Sequence, residues 1–274
     1  MKRKMIQFLR IMIAVGASAI AMIPFLVLLQ MALNSPENMV GHSIWQMPEF
    51  TLDNIIVAWQ KSELGKAMVN SFIIVIVSIV GLTLVASSAA YQIARFKSKF
   101  TILFSNLLVF SMAIPSIVST VPLYLLMRNI HAINTLWGMI LLNITFNLPF
   151  SIFLMSNFIR NISVTMEEAA IIDGCSCFSV FYRVLLPIMK PIIATVILLN
   201  TVTIWNEYGR SVFFLQKSEL YTIPLRISMF MQQYTADWNL MAAGALVGMM
   251  PAVITFLAFQ RYFIEGMTAG AVKG

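Results

Sequence analysis

Residues able to do chemistry are few in this chain, and their spacing completes no catalytic or metal site. The two histidines, His42 and His131, lie far apart, and Cys175 and Cys177 lack the further ligands that a zinc site needs. The glycine-rich loop G-x-x-x-x-G-K-[ST], whose backbone amides hold nucleotide phosphates, is absent from the sequence. We therefore expect neither an enzyme nor a metal protein, and no ATPase site within the chain.

Glu207 is the only acid within a long apolar run, and Arg210 follows it by one helical turn. A series of carboxylates inside the membrane is the usual mark of proton or sodium coupling, because each of them is costly in hydrocarbon. A single acid that a neighbouring arginine can neutralise supports ion coupling poorly. If the chain moves a solute, these residues favour an external motor or a passive role.

The composition explains why charged side chains are scarce. Of the 274 residues, 59% are hydrophobic and 11% are charged, whereas soluble domains carry roughly 25% charged residues. A soluble globule would have too few polar residues to cover its surface. The chain is therefore predicted to be an integral membrane protein. Its basic residues sit in short clusters between apolar runs, which argues against nucleic-acid binding.

Six apolar stretches are long enough to cross a hydrocarbon core about 30 Å thick, which takes about 20 residues of helix. We predict an all-α, polytopic fold with one transmembrane domain over 1-274. Its six spans are placed at about 11-33, 67-94, 101-127, 134-159, 191-213 and 240-262.

The distribution of Lys and Arg predicts the orientation of these spans. With the N-terminus in the cytoplasm, the cytoplasmic segments hold twelve basic and four acidic residues, and the external segments hold five basic and six acidic ones. The asymmetry places both termini in the cytoplasm. It also makes 160-190 a long cytoplasmic segment, and 263-274 a cytoplasmic tail.

The 160-190 segment is predicted to form two short helices. Ser163 or Thr165 can cap the first one, and Thr165 with Glu168 fits a capping box. Gly174 suits the turn that ends this helix, and a second, amphipathic helix follows it. Apolar residues on the first helix are left for another surface to bury.

At this point the chain resembles the permease subunits of ABC importers. Their EAA motif, E-A-A-x-x-x-G followed by an I-x-L-P element, lies between the fourth and fifth of six spans, as it does here. The matching residues are Glu168, Ala169, Ala170, Asp173, Gly174, Val184, Leu186 and Pro187. We refer to residues 160-190 as the EAA segment.

Further motifs in the sequence resemble those of the carbohydrate uptake group of these permeases. The end of the chain, from Gly266 to Gly274, fits G-x-T-x-G-x-V-K-G. Three internal matches are Asn70-Ser71, Tyr91-x-x-x-Arg95-Phe96 and Trp205-Asn206-Glu207. The chain departs from the family at Ser163, where Pro is frequent, and at Arg210, near which a bulky apolar residue or Pro is more usual.

The resemblance implies a type I ABC importer permease fold and a set of partners. These are a second permease in a heterodimer, two cytoplasmic ATPase subunits that bind the ATP, and an extracellular or periplasmic solute-binding protein. The resemblance also implies two groups of residues that contact the ATPases. The coupling group is Glu167, Glu168, Ala169, Ala170, Asp173, Gly174 and Pro187, and the tail group is Thr268, Gly270, Lys273 and Gly274.

Polar and aromatic side chains within the spans are candidates for a substrate pathway. Neutral donors and acceptors together with aromatic rings suit a polyhydroxylated ligand, although such polar groups also hold neighbouring helices together. The candidates are Asn143, Phe146, Asn147, Asn200, Trp205, Asn206 and Tyr208.

The sequence thus favours a multi-pass cell-membrane permease subunit for ATP-driven, binding-protein-dependent carbohydrate import by alternating access. A sugar phosphate or a polyol remains possible as the substrate. Two alternatives belong to other classes of protein: an ion-coupled secondary carrier, and a membrane scaffold that transports nothing. The sequence leaves open which sugar is carried and whether this subunit or its partner contacts it.

Overall fold

The computed structural model describes residues 2–34, 50–61, 63–233 and 237–271, with the backbone alone described at 2, 61, 232–233 and 262–271. Every regular element in this part of the chain is helical, and no strand occurs in it. The helices are α1 (Lys2–Leu33), α2 (Asp53–Lys61), α3 (Leu64–Arg95), α4 (Lys99–Met112), α5 (Thr120–Asn129), α6 (Leu136–Arg160), α7 (Thr165–Ile172), α8 (Cys177–Val180), α9 (Leu186–Ile188), α10 (Lys190–Trp205), α11 (Ser211–Phe214), α12 (Ile223–Gln233) and α13 (Trp238–Ala271). Two 3₁₀ turns, Ser116–Ser119 and Ser218–Leu220, and a π-helical stretch, Phe181–Leu185, lie between them. The predicted all-α class is confirmed.

Apolar runs of this length become helices because a helix satisfies its backbone hydrogen bonds without water. By length and composition, four helices in the described part of the chain can each cross a membrane alone. Two bent helix pairs bring the number to six if each pair is one span. The pairs are Lys99–Met112 with Ser116–Asn129, bent by 100°, and Cys177–Ile188 with Lys190–Trp205, bent by 73°.

The bend in the region of the predicted third span falls at Pro115. This residue is extended and stands between α4 and the 3₁₀ turn that leads into α5. A proline has no amide hydrogen to donate, and it disfavours helical backbone in the residue before it. The apolar stretch 101-127 therefore folds as two helices with a sharp turn between them.

The chain folds into two compact units, each built from two separate stretches of sequence. The first unit comprises Met1–Gly65 and Pro224–Met250. Within it, the Asn54 amide donates to the carbonyls of Ala32 (3.1 Å) and Asn34 (2.7 Å), and so joins α2 to the end of α1. The Asn239 amide also donates to the Asn34 carbonyl, at 3.0 Å. Most of α1 is not buried, so its apolar surface is left for lipid or another subunit.

The second unit comprises Lys66–Ile223 and Pro251–Gly274. Its core joins α3, α6 and α10 to the EAA segment. Small side chains on α3, including the fully buried Ala86 and Ala90, face larger ones such as Met155, Phe181 and Leu185. Small residues permit close helix approach within membranes. The EAA segment is thus packed into the same core as the spans.

Ala90→Leu is expected to destabilise the protein because the added atoms have no room in this core. Overpacking costs typically about 1–3 kcal/mol. Val85→Leu, on the exposed side of the same helix, is the matched control and should have little effect. Thermal unfolding of the detergent-purified protein compares the two, and equal unfolding temperatures would contradict the packing described above.

Candidate functional site

The first helix of the EAA segment, α7, begins at Thr165. The predicted capping box between Thr165 and Glu168 is not formed, because Thr165 is already the first helical residue and Val164 holds the cap position. The hydroxyl of Ser163 instead accepts the Thr165 backbone N–H at 3.3 Å and lies 2.8 Å from its hydroxyl. Neither Ser163 nor Thr165, the two predicted caps, therefore holds the cap position.

The other end of α7 closes with a glycine turn, as predicted. Gly174 has a φ of +86°, a left-handed conformation that side chains with a Cβ rarely adopt. Its N–H donates to the carbonyl of Ile171, and the N–H of Cys175 donates to that of Ala170, both at 2.9 Å. This pair of bonds is a Schellman motif, which reverses the chain after the helix.

A buried ion pair attaches α7 to the end of α3. Arg95 donates from Nε to Glu167 Oε1 at 2.7 Å, and its Nη2 atom lies 2.6 Å from the same oxygen. Nη2 also donates to the Ile162 carbonyl at 3.0 Å. The two charged side chains are only 10% and 6% exposed. Sequence reasoning placed Glu167 among the ATPase-contacting residues, but the structure turns its carboxylate inward to Arg95.

The rest of α7 presents an exposed surface. Glu168 and Ala169 are exposed, Ala170 is half-buried, and Ile171 and Ile172 are largely exposed, Ile172 at 86%. Beyond the turn, Phe178 is exposed too. We call the surface formed by Glu168, Ala169, Ile171, Ile172 and Phe178 the α7 face. Apolar side chains this exposed beside one another, outside the long apolar helices, are typical of an interaction site.

The predicted second helix of the EAA segment is formed, without a gap from Cys177 to Ile188, and its middle turn is π-helical. It consists of α8, the π-helical stretch Phe181–Leu185 and α9, which contains Pro187. Phe181 and Leu185 are buried in the core of the unit, and Pro187 is exposed. The stretch therefore anchors the EAA segment while α7 stays accessible.

Beyond the last apolar stretch, α13 runs without a break to Ala271. The backbones of Thr268 and Gly270 are thus helical, and their side chains are not described. Lys273 and Gly274 lie outside the described residues.

The candidate pathway asparagines mostly bond to their own helices. Asn143 is fully buried and its amide donates to the Met139 carbonyl, and Asn147 donates to the Asn143 carbonyl. Asn200 donates to the Val196 carbonyl and to the Ser151 hydroxyl of α6. Asn200 therefore holds α10 against α6, which is the packing role that the sequence left open.

The other pathway candidates surround the break after α10. Trp205 is buried, with its ring 5.1 Å from that of Phe72 in an edge-on contact. Asn206 and Tyr208 follow it and are exposed. Phe146 lies under the guanidinium of Arg210, with 4.6 Å between the ring centroid and Cζ. The fold thus brings Asn143, Phe146 and the residues after Trp205 together within one unit.

An all-helical chain with an exposed EAA helix between apolar helices has the architecture of a transport-system membrane subunit. The chain belongs to the family of binding-protein-dependent transport system inner membrane components, whose profile matches residues 84–268. This membership and the apolar helices make it a multi-pass membrane protein. The resemblance to importer permeases drawn from the EAA motif is confirmed.

Individual relatives are similar along nearly all of the chain. The melibiose/raffinose/stachyose import permease protein MelC of Bacillus subtilis is 35% identical over 100% of this chain and 99% of its own length. The arabinooligosaccharides transport system permease protein AraQ of Halalkalibacterium halodurans is 29% identical over the full length of both. A bacterial ABC transporter involved in the import of alginate has a chain of the same fold, with a TM-score of 0.80, 20% identity, and coverage of 94% of this chain and 97% of that one.

Glu167→Gln is expected to lower the stability of the protein by about 2 kcal/mol or more, since it leaves the buried Arg95 guanidinium without its counter-charge. Glu168→Gln changes the exposed neighbour and should stay within about 0.5 kcal/mol of the parent. Thermal unfolding and tryptic cleavage within 160-190 measure both. Equal stability and equal cleavage in the two variants would show that the ion pair does not hold α7.

Proposed function

We propose that the chain is one permease subunit of an ATP-driven, binding-protein-dependent carbohydrate importer. It pairs with a second permease, two ATPase subunits dock on its cytoplasmic side, and an external solute-binding protein delivers the sugar. The chain itself makes and breaks no bonds and has no ATPase site, since ATP is bound by the docked subunits. The observation that carries the proposal is the exposed α7 face on a helix that is anchored to the spans.

The orientation follows from charge. The N-terminal residues, the stretch 95-99 and the EAA segment hold ten of the 18 basic residues, and the segments on the other side are slightly acidic. Short loops rich in Lys and Arg stay in the cytoplasm. Both termini and the EAA segment therefore lie on the cytoplasmic side, where ATP is available to the ATPase subunits.

The α7 face has the chemistry of a docking site for an ATPase subunit. Ala169 is small enough for close approach of another backbone, and Ile172 offers an apolar anchor to a pocket. In the described structure Glu168 has no ion-pair partner, so its carboxylate is available to an arginine of the ATPase subunit. Asp173, Gly174 and Pro187 shape the segment around this face.

Movement of α7 is passed to the spans through rigid contacts. The Arg95–Glu167 pair ties α7 to α3, and Phe181 and Leu185 tie the following stretch to the core that includes α6 and α10. ATP-driven closure of the ATPase pair would pull α7, and the attached spans would rotate with it. Alternating access then results from rigid-body rotation about a site within the membrane.

The tail is the second contact with the ATPase subunits. Thr268 and Gly270 belong to the last turns of α13, and with Lys273 and Gly274 they would reach into the interface between the two ATPases. Glycines at this end permit close backbone approach, and Lys273 would meet acidic groups there.

Carbohydrate is the substrate class best supported. The names of MelC and AraQ give sugars as the cargo of these relatives. Exposed Asn206 and Tyr208 and the half-buried Phe146 supply neutral polar groups and aromatic rings, which suit a sugar. A sugar phosphate or polyol carried by the same machinery is the alternative.

Ile172→Asn is expected to lower sugar uptake by about tenfold or more, because removing a buried apolar anchor from an interface costs about 1.5–3 kcal/mol. Binding-protein-stimulated ATP hydrolysis should fall with it. Ile130→Asn, the same change at another exposed isoleucine on the predicted external side, is the control. The assay uses proteoliposomes that hold both permeases and both ATPases, and a panel of radiolabelled mono- to tetrasaccharides.

Normal transport and hydrolysis by the Ile172→Asn complex would contradict docking at α7. Wild-type uptake that persists without the ATPase subunits and collapses with the proton gradient would identify an ion-coupled carrier. Uptake of glycerol 3-phosphate in place of every sugar in the panel would favour the alternative substrate.

A further inference from the structure

We propose that Arg210 and Glu207 together bind adjacent hydroxyl groups of an uncharged sugar as it crosses the membrane. The inference rests on the proposed function, since it names the side chains through which the pathway recognises its load.

The two side chains lie at a break in the predicted fifth span. Helix α10 ends at Trp205, and α11 starts at Ser211. Interrupted helices within a membrane commonly carry the substrate sites of transporters, because the unwound backbone and its side chains are open to a cavity. Ionisable residues at this depth are costly and mark function.

The loop holds the two charges in fixed positions. The guanidinium of Arg210 donates from Nη2 to Glu207 Oε2, and its backbone N–H donates to Glu207 Oε1 at 2.8 Å. The Ser211 hydroxyl donates to the Glu207 carbonyl at 2.7 Å. Both carboxylate oxygens and the loop backbone are thus part of one small network, so the pair is preorganised.

Helix α6 supports the same guanidinium from a second direction. The Cζ atom of Arg210 lies 4.6 Å from the centroid of the Phe146 ring, which is a cation–π contact. The Nη2 atom of Arg210 lies 3.4 Å from Asn143 Oδ1. Asn143 is fully buried, and the side chains of Arg210 and Glu207 are 14% and 15% exposed. The pair is therefore mostly removed from solvent while a small part of it stays open.

Some N–H groups of the Arg210 guanidinium make no hydrogen bond to the described residues. A guanidinium has five N–H donors, and all the hydrogen bonds that Arg210 makes from this group to the described residues use Nη2. The Nη1 atom makes no hydrogen bond to those residues, and unlike the Nε atom it is not enclosed by protein. Its two N–H groups can therefore donate to the acceptor oxygens of a ligand.

The charges of Arg210 and Glu207 cancel, and this favours an uncharged ligand. Two adjacent hydroxyls accept hydrogen bonds from Arg210 and donate to the carboxylate of Glu207 at the same time. A ligand carboxylate or phosphate would meet the negative charge of Glu207 beside the arginine. The site therefore fits an uncharged sugar, with exposed Tyr208 in the same loop as a surface for its apolar side.

Three variants test the inference: Arg210→Gln, Glu207→Gln and the double variant, which leaves no unpaired charge. Each is reconstituted with the second permease, the ATPases and the binding protein, and is assayed with the panel sugar that the wild type imports fastest. Arg226→Gln, which breaks the 2.8 Å ion pair with Glu63 elsewhere in the chain, is the matched control. Co-purification of the subunits and ATP hydrolysis report assembly.

All three variants should import the sugar about tenfold more slowly at saturating loaded binding protein, with more ATP hydrolysed per sugar, while Arg226→Gln stays near wild type. Wild-type uptake by the double variant would show that the pair only balances charge, and would overturn the inference. Faster sugar uptake by Glu207→Gln would show that the Glu207 carboxylate does not bind the sugar hydroxyls, and would overturn the inference as well. A wild-type complex that imports no sugar would instead refute the proposed function.

Discussion

The ion pair between Arg95 and Glu167 is the contact on which the structure of the EAA segment depends. It joins α7 to the end of α3 through two nearly buried charges, and the arginine also holds the Ile162 carbonyl where the segment begins. A pair of this kind fixes geometry more than it adds stability, since breaking it leaves a buried charge uncompensated. Because the ion pair fixes the buried side of α7, a force applied by an ATPase subunit to its exposed side is passed on to α3.

The EAA segment is attached to the spans at two places, on either side of the turn at Gly174. The Schellman turn at Gly174 directs the chain away from α7, and Phe181 and Leu185 then enter the core between α3, α6 and α10. A displacement of α7 therefore reaches the spans through packed side chains, which do not deform continuously. The same spans carry the Arg210–Glu207 pair, so the docking face and the proposed sugar position belong to one compact unit.

Local patterns predicted what depends on local chemistry. The turn at Gly174 followed from its type and position, and the apolar runs predicted helices because hydrocarbon demands internally bonded backbone. The prediction of one span over 101-127 missed the break at Pro115 and its 100° bend, which depend on how the two helices pack. Which of two adjacent glutamates faces inward could not be read from the sequence, because Arg95, the partner of Glu167, is 72 residues away. Asn200 was uncertain for the same reason, since its second acceptor lies on α6.

Distances between spin labels on α7 and α3 test the central claim most directly. After Cys175→Ser and Cys177→Ser, labels are attached in the complete transporter at Met166 of α7, which is exposed and outside the α7 face, and at exposed Leu84 of α3. Pulsed electron paramagnetic resonance then measures their separation in the nucleotide-free and ATP-bound states. We expect one narrow distance that is the same in both states and broadens when Glu167 is replaced by Gln. A wild-type distance that changes on ATP binding would show that α7 moves independently of the spans.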